Sequence, residues 1–384
     1  MRVYYFTEQP YPDAWLPGHD LRVTLPNAHC DPQAAAELYR RYQDEWILAD
    51  ELGFDIMVNE HHSTPTCLSS VAVVTLSILA RITKNARLLS LGYPLANRTD
   101  PVRVAEELSM VDVISRGRLD MGFVKGVPYE IAVADSRPTM MMDRLWEAHD
   151  LILKAMTHRD GPFAWRSDNF EYRAVNVWPR PWQQPPPVWI TAASLSSAAP
   201  IAQRGHVLAT FLGGWGTRAL FDAYRAAYRD AWKRDAAPDR LAYLALLAVA
   251  DTEEEALIRA EKVAGYLRTI ARVPEPFRNP PGYASIADNV RSMRAGGQRP
   301  GMVLPSGRTV QLATASCRDL IEAGLLFAGT PEQVYEQIAR FDAAMGGIGN
   351  LLVMAQGGTL DHAETVDSAT LFGTKVLPRL KGAG

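Results

Sequence analysis

Asp55-Ile56-Met57-Val58-Asn59-Glu60-His61-His62 is the stretch on which the fold turns, a short apolar run ending abruptly in one acid and two imidazoles. Gly53 stops the amphipathic segment before it, so residues 55–58 read as a buried strand that follows a helix. Polar chemistry on the last residues of such a strand is where an α/β barrel keeps its active site.

Seven further apolar runs match this one. The full set is 3–6, 56–58, 88–93, 119–124, 188–191, 207–212, 243–249 and 351–354. Amphipathic segments at 34–52, 101–114, 140–156, 218–234, 253–270 and 331–345 lie between them. Thr330-Pro331-Glu332 opens the last of these as an N-cap, a first-turn proline and an acid. Eight strands alternating with helices predict a parallel sheet with right-handed crossovers, and eight is the number that closes a barrel. A doubly wound open sheet is the alternative, but Thr7-Glu8-Gln9-Pro10 after the first run is not the Gly-rich turn such a sheet usually carries. Two stretches break the rhythm. Residues 161–187, rich in Trp, Pro and Arg, read as a hairpin and extended arm leading into strand five. Residues 272–318 have no sustained period and read as a long mobile insertion, a lid, before the last barrel units.

Composition bounds the partners. The 384 residues are 47% hydrophobic and 22% charged, with a net charge of −3 and no basic block, which argues against nucleic acid or an anionic membrane as the main partner. Cys30, Cys67 and Cys317 are widely spaced with no CxxC pair, which fits a reducing compartment better than a disulfide framework. The N-terminus lacks the apolar core of a signal peptide and no run reaches spanning length, so a cytoplasmic protein is expected.

Alternation places His61 and His62 on opposite sides of the strand end, so one can face the barrel mouth while the other packs outward. Three readings stand for them: proton transfer, a histidine hydrogen-bonded beneath a loop, and a metal ligand. The last is disfavoured because the remaining histidines have no ligand spacing, and no metal is expected. Lys125-Gly126, at the end of strand four, suits either a phosphate contact or a solvated turn. The hydroxyls of Ser194, Ser196 and Ser197 after strand five read equally as helix caps or as an anion site. Met140-Met141-Met142 and Trp178, Trp182 and Trp189 read as packing.

Four stretches, in order, resemble the bacterial luciferase-like, flavin-dependent monooxygenases. They are Glu51-Leu52-Gly53-Phe54-Asp55 running to Glu60-His61-His62; Asp100-Pro101-Val102-Arg103-Val104-Ala105-Glu106-Glu107 running to Asp112-Val113-Ile114-Ser115-Arg116-Gly117-Arg118; Pro187-Val188-Trp189-Ile190 with the serine cluster; and Gly329-Thr330-Pro331-Glu332-Gln333-Val334. The resemblance implies one (β/α)8 TIM-barrel domain over 1–384, with insertions at about 161–187 and 272–318. It implies FMN, reduced by a separate flavin reductase, and O2 that adds to the reduced ring. The resulting flavin peroxide oxygenates a small organic substrate such as an aldehyde or ketone. The deazaflavin F420, in a dehydrogenase or reductase, is the rival, and a non-catalytic flavin-binding relative is a third possibility. His61 corresponds to the family's proton-transfer residue, with Glu60 and His62 in support. Lys125, Gly126, Ser194, Ser196 and Ser197 fall at the phosphate. Tyr93, within Gly92-Tyr93-Pro94, falls where the flavin ring rests and where an unusual peptide bond is often found. Lys125 stands where an arginine is typical, and Ala193 where luciferases carry a glutamate. A homodimer or higher homo-oligomer is expected.

Overall fold

The computed structural model describes residues 1–284, 286, 289–290, 302–312 and 314–382. The barrel strands are β1 (Arg2–Thr7), β2 (Asp55–Val58), β3 (Leu88–Pro94), β4 (Leu119–Val124), β7 (Val188–Thr191), β8 (Val207–Phe211), β9 (Leu241–Val249) and β13 (Asn350–Gln356). Each pairs in parallel with its neighbour. β8 with β9, β9 with β13 and β13 with β1 close the ring, so the expected eight-stranded barrel is present. Between β4 and β7, β5 (Phe163–Arg166) and β6 (Glu171–Val175) pair antiparallel as the expected hairpin. The long insertion over 272–318 lies partly outside the described residues. Its described portions include a second small hairpin, β10 (Met302–Val303) with β11 (Thr309–Val310).

Strand alternation sorts the apolar side chains into two layers. Tyr4, Phe6, Met57, Leu89, Trp189 and Leu244 fill the barrel interior. Their neighbours Val3, Tyr5, Ile56, Val58, Leu88 and Tyr243 pack outward beneath the helices. Residues that continue the inward parity past the last strand hydrogen bond are therefore delivered to the barrel mouth.

The helices that frame the mouth begin and end for local reasons. Helix α1 (Pro32–Leu52) starts at Asp31, whose carboxylate accepts from Gln33 N at 3.0 Å. It stops at Gly53, which takes the left-handed conformation at φ 87°. The helix Pro331–Met345 carries the anticipated cap, extended by Gln333 into a reciprocal capping box with Thr330.

Three features depart from the sequence reading. A ninth strand, β12 (Leu326–Gly329), pairs in parallel with residues 246–249 of β9. It covers the part of that long strand which β8, paired only as far as Leu244, leaves open. Its four residues, ending in Ala328-Gly329, are too few to show a period. Helix α2 (Ala72–Ile82) was also absent from that reading: it is apolar on nearly every face, so its pattern has no helical stripe. Finally, the packing assignment holds for Trp189 and Met141, which are buried, and fails for Met140, Met142, Trp178 and Trp182, which are exposed.

Candidate active site

The loops leaving the C-terminal ends of β1, β2, β3 and β4 converge on a buried polar cluster. Glu60, just past β2, is almost fully enclosed. One carboxylate oxygen accepts from Ala72 N at 2.9 Å, at the start of α2. The other accepts from the Arg98 guanidinium and lies 3.1 Å from His62 Nε2. Both oxygens are committed to holding the β2 and β3 loops together.

His61 faces a different acid. Its Nδ1 lies 2.9 Å from Glu130 Oε1 and 3.3 Å from the Tyr129 hydroxyl. Glu130 opens the short helix Glu130–Val133 on the β4 loop and also accepts from the His62 backbone N–H at 3.2 Å. A carboxylate only accepts, so Nδ1 donates to it. The second ring nitrogen, Nε2, makes no hydrogen bond among the described residues, and the side chain keeps 19% of its surface exposed. The two imidazoles are held by separate acids, His61 by Glu130 and His62 by Glu60.

The charges shift accordingly. Burial opposes a charged His61 ring, but the negative charge and hydrogen bond of Glu130, assisted by Glu8, outweigh it and raise the pKa above the ordinary 6.5. Burial pushes the Glu130 carboxyl up, yet His61 and His62 outweigh that and hold it below 4.5. On folding, the raised His61 contributes stability that is complete below its unfolded value and lost as pH climbs through the folded one. The lowered Glu130 contributes above its unfolded value and loses that contribution as pH falls through the folded one. The pair is worth most between the two ordinary values of 4.5 and 6.5.

Several members of the cluster were not singled out from sequence. Glu8, following β1, is buried and accepts from Asn59 Nδ2 at 2.9 Å and from the Tyr266 hydroxyl at 2.8 Å. Arg22, in the loop after β1, donates to the Tyr129 hydroxyl. Glu8 carried the same signal as Glu60, an acid at the end of an apolar run. Arg22, Tyr129, Glu130 and Tyr266 sit on loops and a helix end far apart in sequence, where no local pattern marks them.

The remaining candidates fall into two groups. The Ser194 hydroxyl lies 3.0 Å from that of Ser196 and 2.9 Å from that of Ser197. Neither Ser194 nor Ser197 caps the backbone with its side chain, so the cap reading is not realised. Ser196 and Ser197 line a cavity of about 250 Å³ with Met142, Asp143, Trp146 and Thr191. Lys125 lies under Tyr283, with its ammonium 3.5 Å from the ring centroid, and the Tyr283 hydroxyl donates to Gly126 O at 2.7 Å. At Gly126, φ is 94° and an added Cβ would stand 2.8 Å from Asn97 Nδ2.

Tyr93 corrects the expectation. Its side chain is packed in the outer layer, with its hydroxyl 3.3 Å from Glu107 on the helix Pro101–Ile114, so only its backbone is left to meet a ligand. The peptide bonds of Gly92-Tyr93-Pro94 are trans. The cis bonds among the described residues are Trp178–Pro179 and Gln184–Pro185. The irregularity at this turn is a register shift between Leu91 and Tyr93, at a glycine whose added Cβ would stand 2.0 Å from Val124.

Two other places hold charge or space. His149 and His206 face each other, Nε2 to Nε2, at 2.8 Å, with His149 Nδ1 2.7 Å from Asp150. A cavity of about 550 Å³ opens at the N-terminal ends of the strands, lined by Arg2, Asp55, Asp239 and Lys381 among others. It is the larger space but lies opposite the polar cluster, at the end where barrels of this type do not place their chemistry. Among the described residues, no group of three or more His, Cys, Asp or Glu is arranged to hold a metal. No helix among them is long and apolar enough to cross a membrane.

The sequence model of the luciferase-like monooxygenases matches residues 21–346. The chain belongs to that family. A curated relative, the oxygenase component of the flavin-dependent trigonelline monooxygenase of Acinetobacter baylyi, is 27% identical over 241 residues, covering 61% of this chain and 65% of the relative. The chain thus matches somewhat under two thirds of that protein's length. Among solved structures, the oxygenating constituent of 3,6-diketocamphane monooxygenase from Pseudomonas putida, in complex with FMN, superposes with a TM-score of 0.73 at 17% identity, covering 99% and 98% of the two chains. An F420-dependent secondary alcohol dehydrogenase superposes with a TM-score of 0.64 at 17% identity, covering 89% and 96%. At these identities the structures establish the shared barrel.

The His61–Glu130 contact predicts a titration. Glu130→Gln removes the charge that favours the imidazolium, so the His61 pKa should fall. Imidazole nitrogen chemical shifts followed by NMR across pH give the comparison. An unchanged His61 titration would break the assignment.

Proposed function

We propose that this chain is the oxygenase component of a two-component, flavin-dependent monooxygenase. In this reading it receives reduced FMN from a separate reductase and oxygenates a small organic substrate, an aldehyde, ketone or similar compound, with O2. The observation that carries the reading is His61, held through Nδ1 by Glu130 with Nε2 left free at the mouth of a family barrel.

The residues suit a bound flavin. Nine buried side-chain atoms lack a hydrogen-bond partner among the described residues; four of them belong to Gln9, Asn97 and Arg98, on the loops after β1 and β3. Polar atoms concentrated without partners at one end of a barrel call for a polar ligand or ordered water there. Phe211 ends β8 on the inward parity and keeps 40% of its surface exposed, an apolar wall for a ring. The Ser194, Ser196 and Ser197 hydroxyls, with the Lys125 ammonium, are the groups for a phosphate.

Reduced FMN, when bound, supplies the electrons for O2 activation, with one oxygen atom entering the substrate and the other leaving as water. His61 moves the proton. As the imidazolium it donates from Nε2, and Glu130 keeps Nδ1–H paired so that the ring orientation survives the exchange. Glu60 acts through position, because Arg98, Ala72 N and His62 occupy its oxygens. Tyr283 and Arg272 help to keep water out: Tyr283 lies over Lys125, and Arg272 bonds to the carbonyls of Leu16 and His19 in the loop after β1. A homodimer would bury the outer face of α2 and its neighbour, where Val74, Met110 and Ile114 are exposed.

F420-dependent hydride transfer is the second reading, kept because an F420 enzyme shares the barrel. Oxygen-electrode measurements with purified protein separate the two. Chemically reduced FMN with an aldehyde and ketone panel should give O2 uptake coupled to oxygenated product, whereas reduced F420 should bind weakly. His61→Ala should lower coupled turnover by about 100-fold or more with FMN affinity nearly unchanged. Tight F420 binding with no O2 uptake would replace the first reading by the second.

The phosphate assignment has its own check. Lys125→Ala should weaken FMN by about tenfold or more and riboflavin, which lacks the phosphate, hardly at all. Equal losses by flavin fluorescence titration would place the phosphate elsewhere.

A further inference from the structure

Arg22 is a buried cation with no direct ion pair among the described residues. It is 3% exposed, and its Nη1 donates to the Tyr129 hydroxyl with the guanidinium carbon 4.7 Å from that ring centroid. Its Nε has no hydrogen-bond partner. Among the described residues, no carboxylate oxygen comes within the 4.0 Å of an ion pair. The nearby acid Glu8 spends its oxygens on Asn59 and Tyr266 instead. Burial opposes the charge and nearby Glu8 favours it without a direct bond, so what is left unsatisfied is the buried Nε–H; a donor kept this way points to an acceptor that arrives later.

The backbone holds the side chain in place. Leu21 N donates to Arg272 O at 2.9 Å and Val23 N to Ser63 O at 2.8 Å, fixing the chain on both sides of Arg22. Val23 itself sits at φ 71°, a region a β-branched residue enters only under constraint. The hydroxyl of Tyr129, the one hydrogen-bond partner of the Arg22 side chain among the described residues, is 3.3 Å from His61 Nδ1. The guanidinium is therefore one side chain away from the proposed proton-transfer residue.

We propose that the free Nε–Nη2 edge of Arg22 binds a carboxylate on the organic substrate, so that the enzyme acts on small organic acids. With Nη1 on Tyr129, the remaining edge is a two-donor fork, the shape that matches the two oxygens of a carboxylate. The negative charge of Glu8, which acts on Arg22, makes a dianion costly there and favours a monoanionic carboxylate over a phosphate ester. The inference rests on the monooxygenase reading for its chemistry, but the binding site stands on the arginine alone.

The test is a binding comparison that needs no turnover. Benzoate and hexanoate, with benzamide and hexanamide as neutral matches, are titrated by saturation-transfer NMR into wild type and Arg22→Gln, and FMN is titrated in parallel. Wild type should prefer each carboxylate over its amide by about tenfold or more, as expected for a charge-assisted fork. Arg22→Gln should abolish that preference and leave amide and FMN affinities within about twofold. Arg22→Lys, which keeps the buried charge and loses the fork, should retain only part of the preference. It carries the test if the Gln variant fails to fold. Equal affinity for carboxylate and amide in wild type would overturn the proposal. So would an Arg22→Gln variant that loses FMN and keeps benzoate, since the cation would then serve the flavin. Carboxylate binding through Arg22 in a protein that ignores FMN would leave the site standing and remove the flavin reading.

Discussion

One carboxylate ties the mouth of this barrel together. Glu130 accepts from the His61 ring and the His62 backbone, and so joins the loop after β4 to the end of β2. Without it, the His61 imidazole would have only the charge of Glu8 to favour its charged form, and its orientation would rest on Tyr129 alone. The interaction is strong because it is sheltered, and it exists because each partner stabilises the other's charged state. Glu60 does the same service one shell further out, bridging the start of α2 and the guanidinium of Arg98.

The barrel supplies what these contacts need. Alternation along the strands separates an interior apolar filling from an outer one, so both faces of every strand are spent on packing. Reactive side chains then have only the strand ends and the loops beyond them. Glu8, Asn59 and His61 occupy those ends, and the loops carrying Arg22 and Tyr129, with Tyr266 near the C-terminal end of the helix Glu253–Thr269, close over them. The outcome is a cluster of charges whose mutual distances are set by the ring of strands beneath.

The eight barrel strands were legible because each is a compact apolar run, with amphipathic segments lying between most of them. His61 was legible for the same reason, since its strand ends in polar residues whose alternation can be counted. Helix α2 was not, because a segment buried or covered on most faces has no stripe to count. Nor was the engagement of Glu60, expected only to support His61, whose oxygens are taken up by Arg98, Ala72 and His62. Tyr93 was expected at the flavin ring, but a register shift turns its side chain into the outer layer. Glu130 and Arg22 could not have been found locally: their contacts to His61 and Tyr129 span 69 and 107 residues. Such pairings belong to the folded chain and leave no spacing in the sequence.

The central claim is that the flavin sits at the C-terminal mouth against His61, and the eight histidines of the chain can report on it directly. Imidazole NMR signals followed while FMN is added should show His61 shifting with saturable dependence on FMN. His149 and His206, paired with each other at 2.8 Å, should stay still. FMN binding that moves the His149–His206 pair and leaves His61 unperturbed would contradict the account.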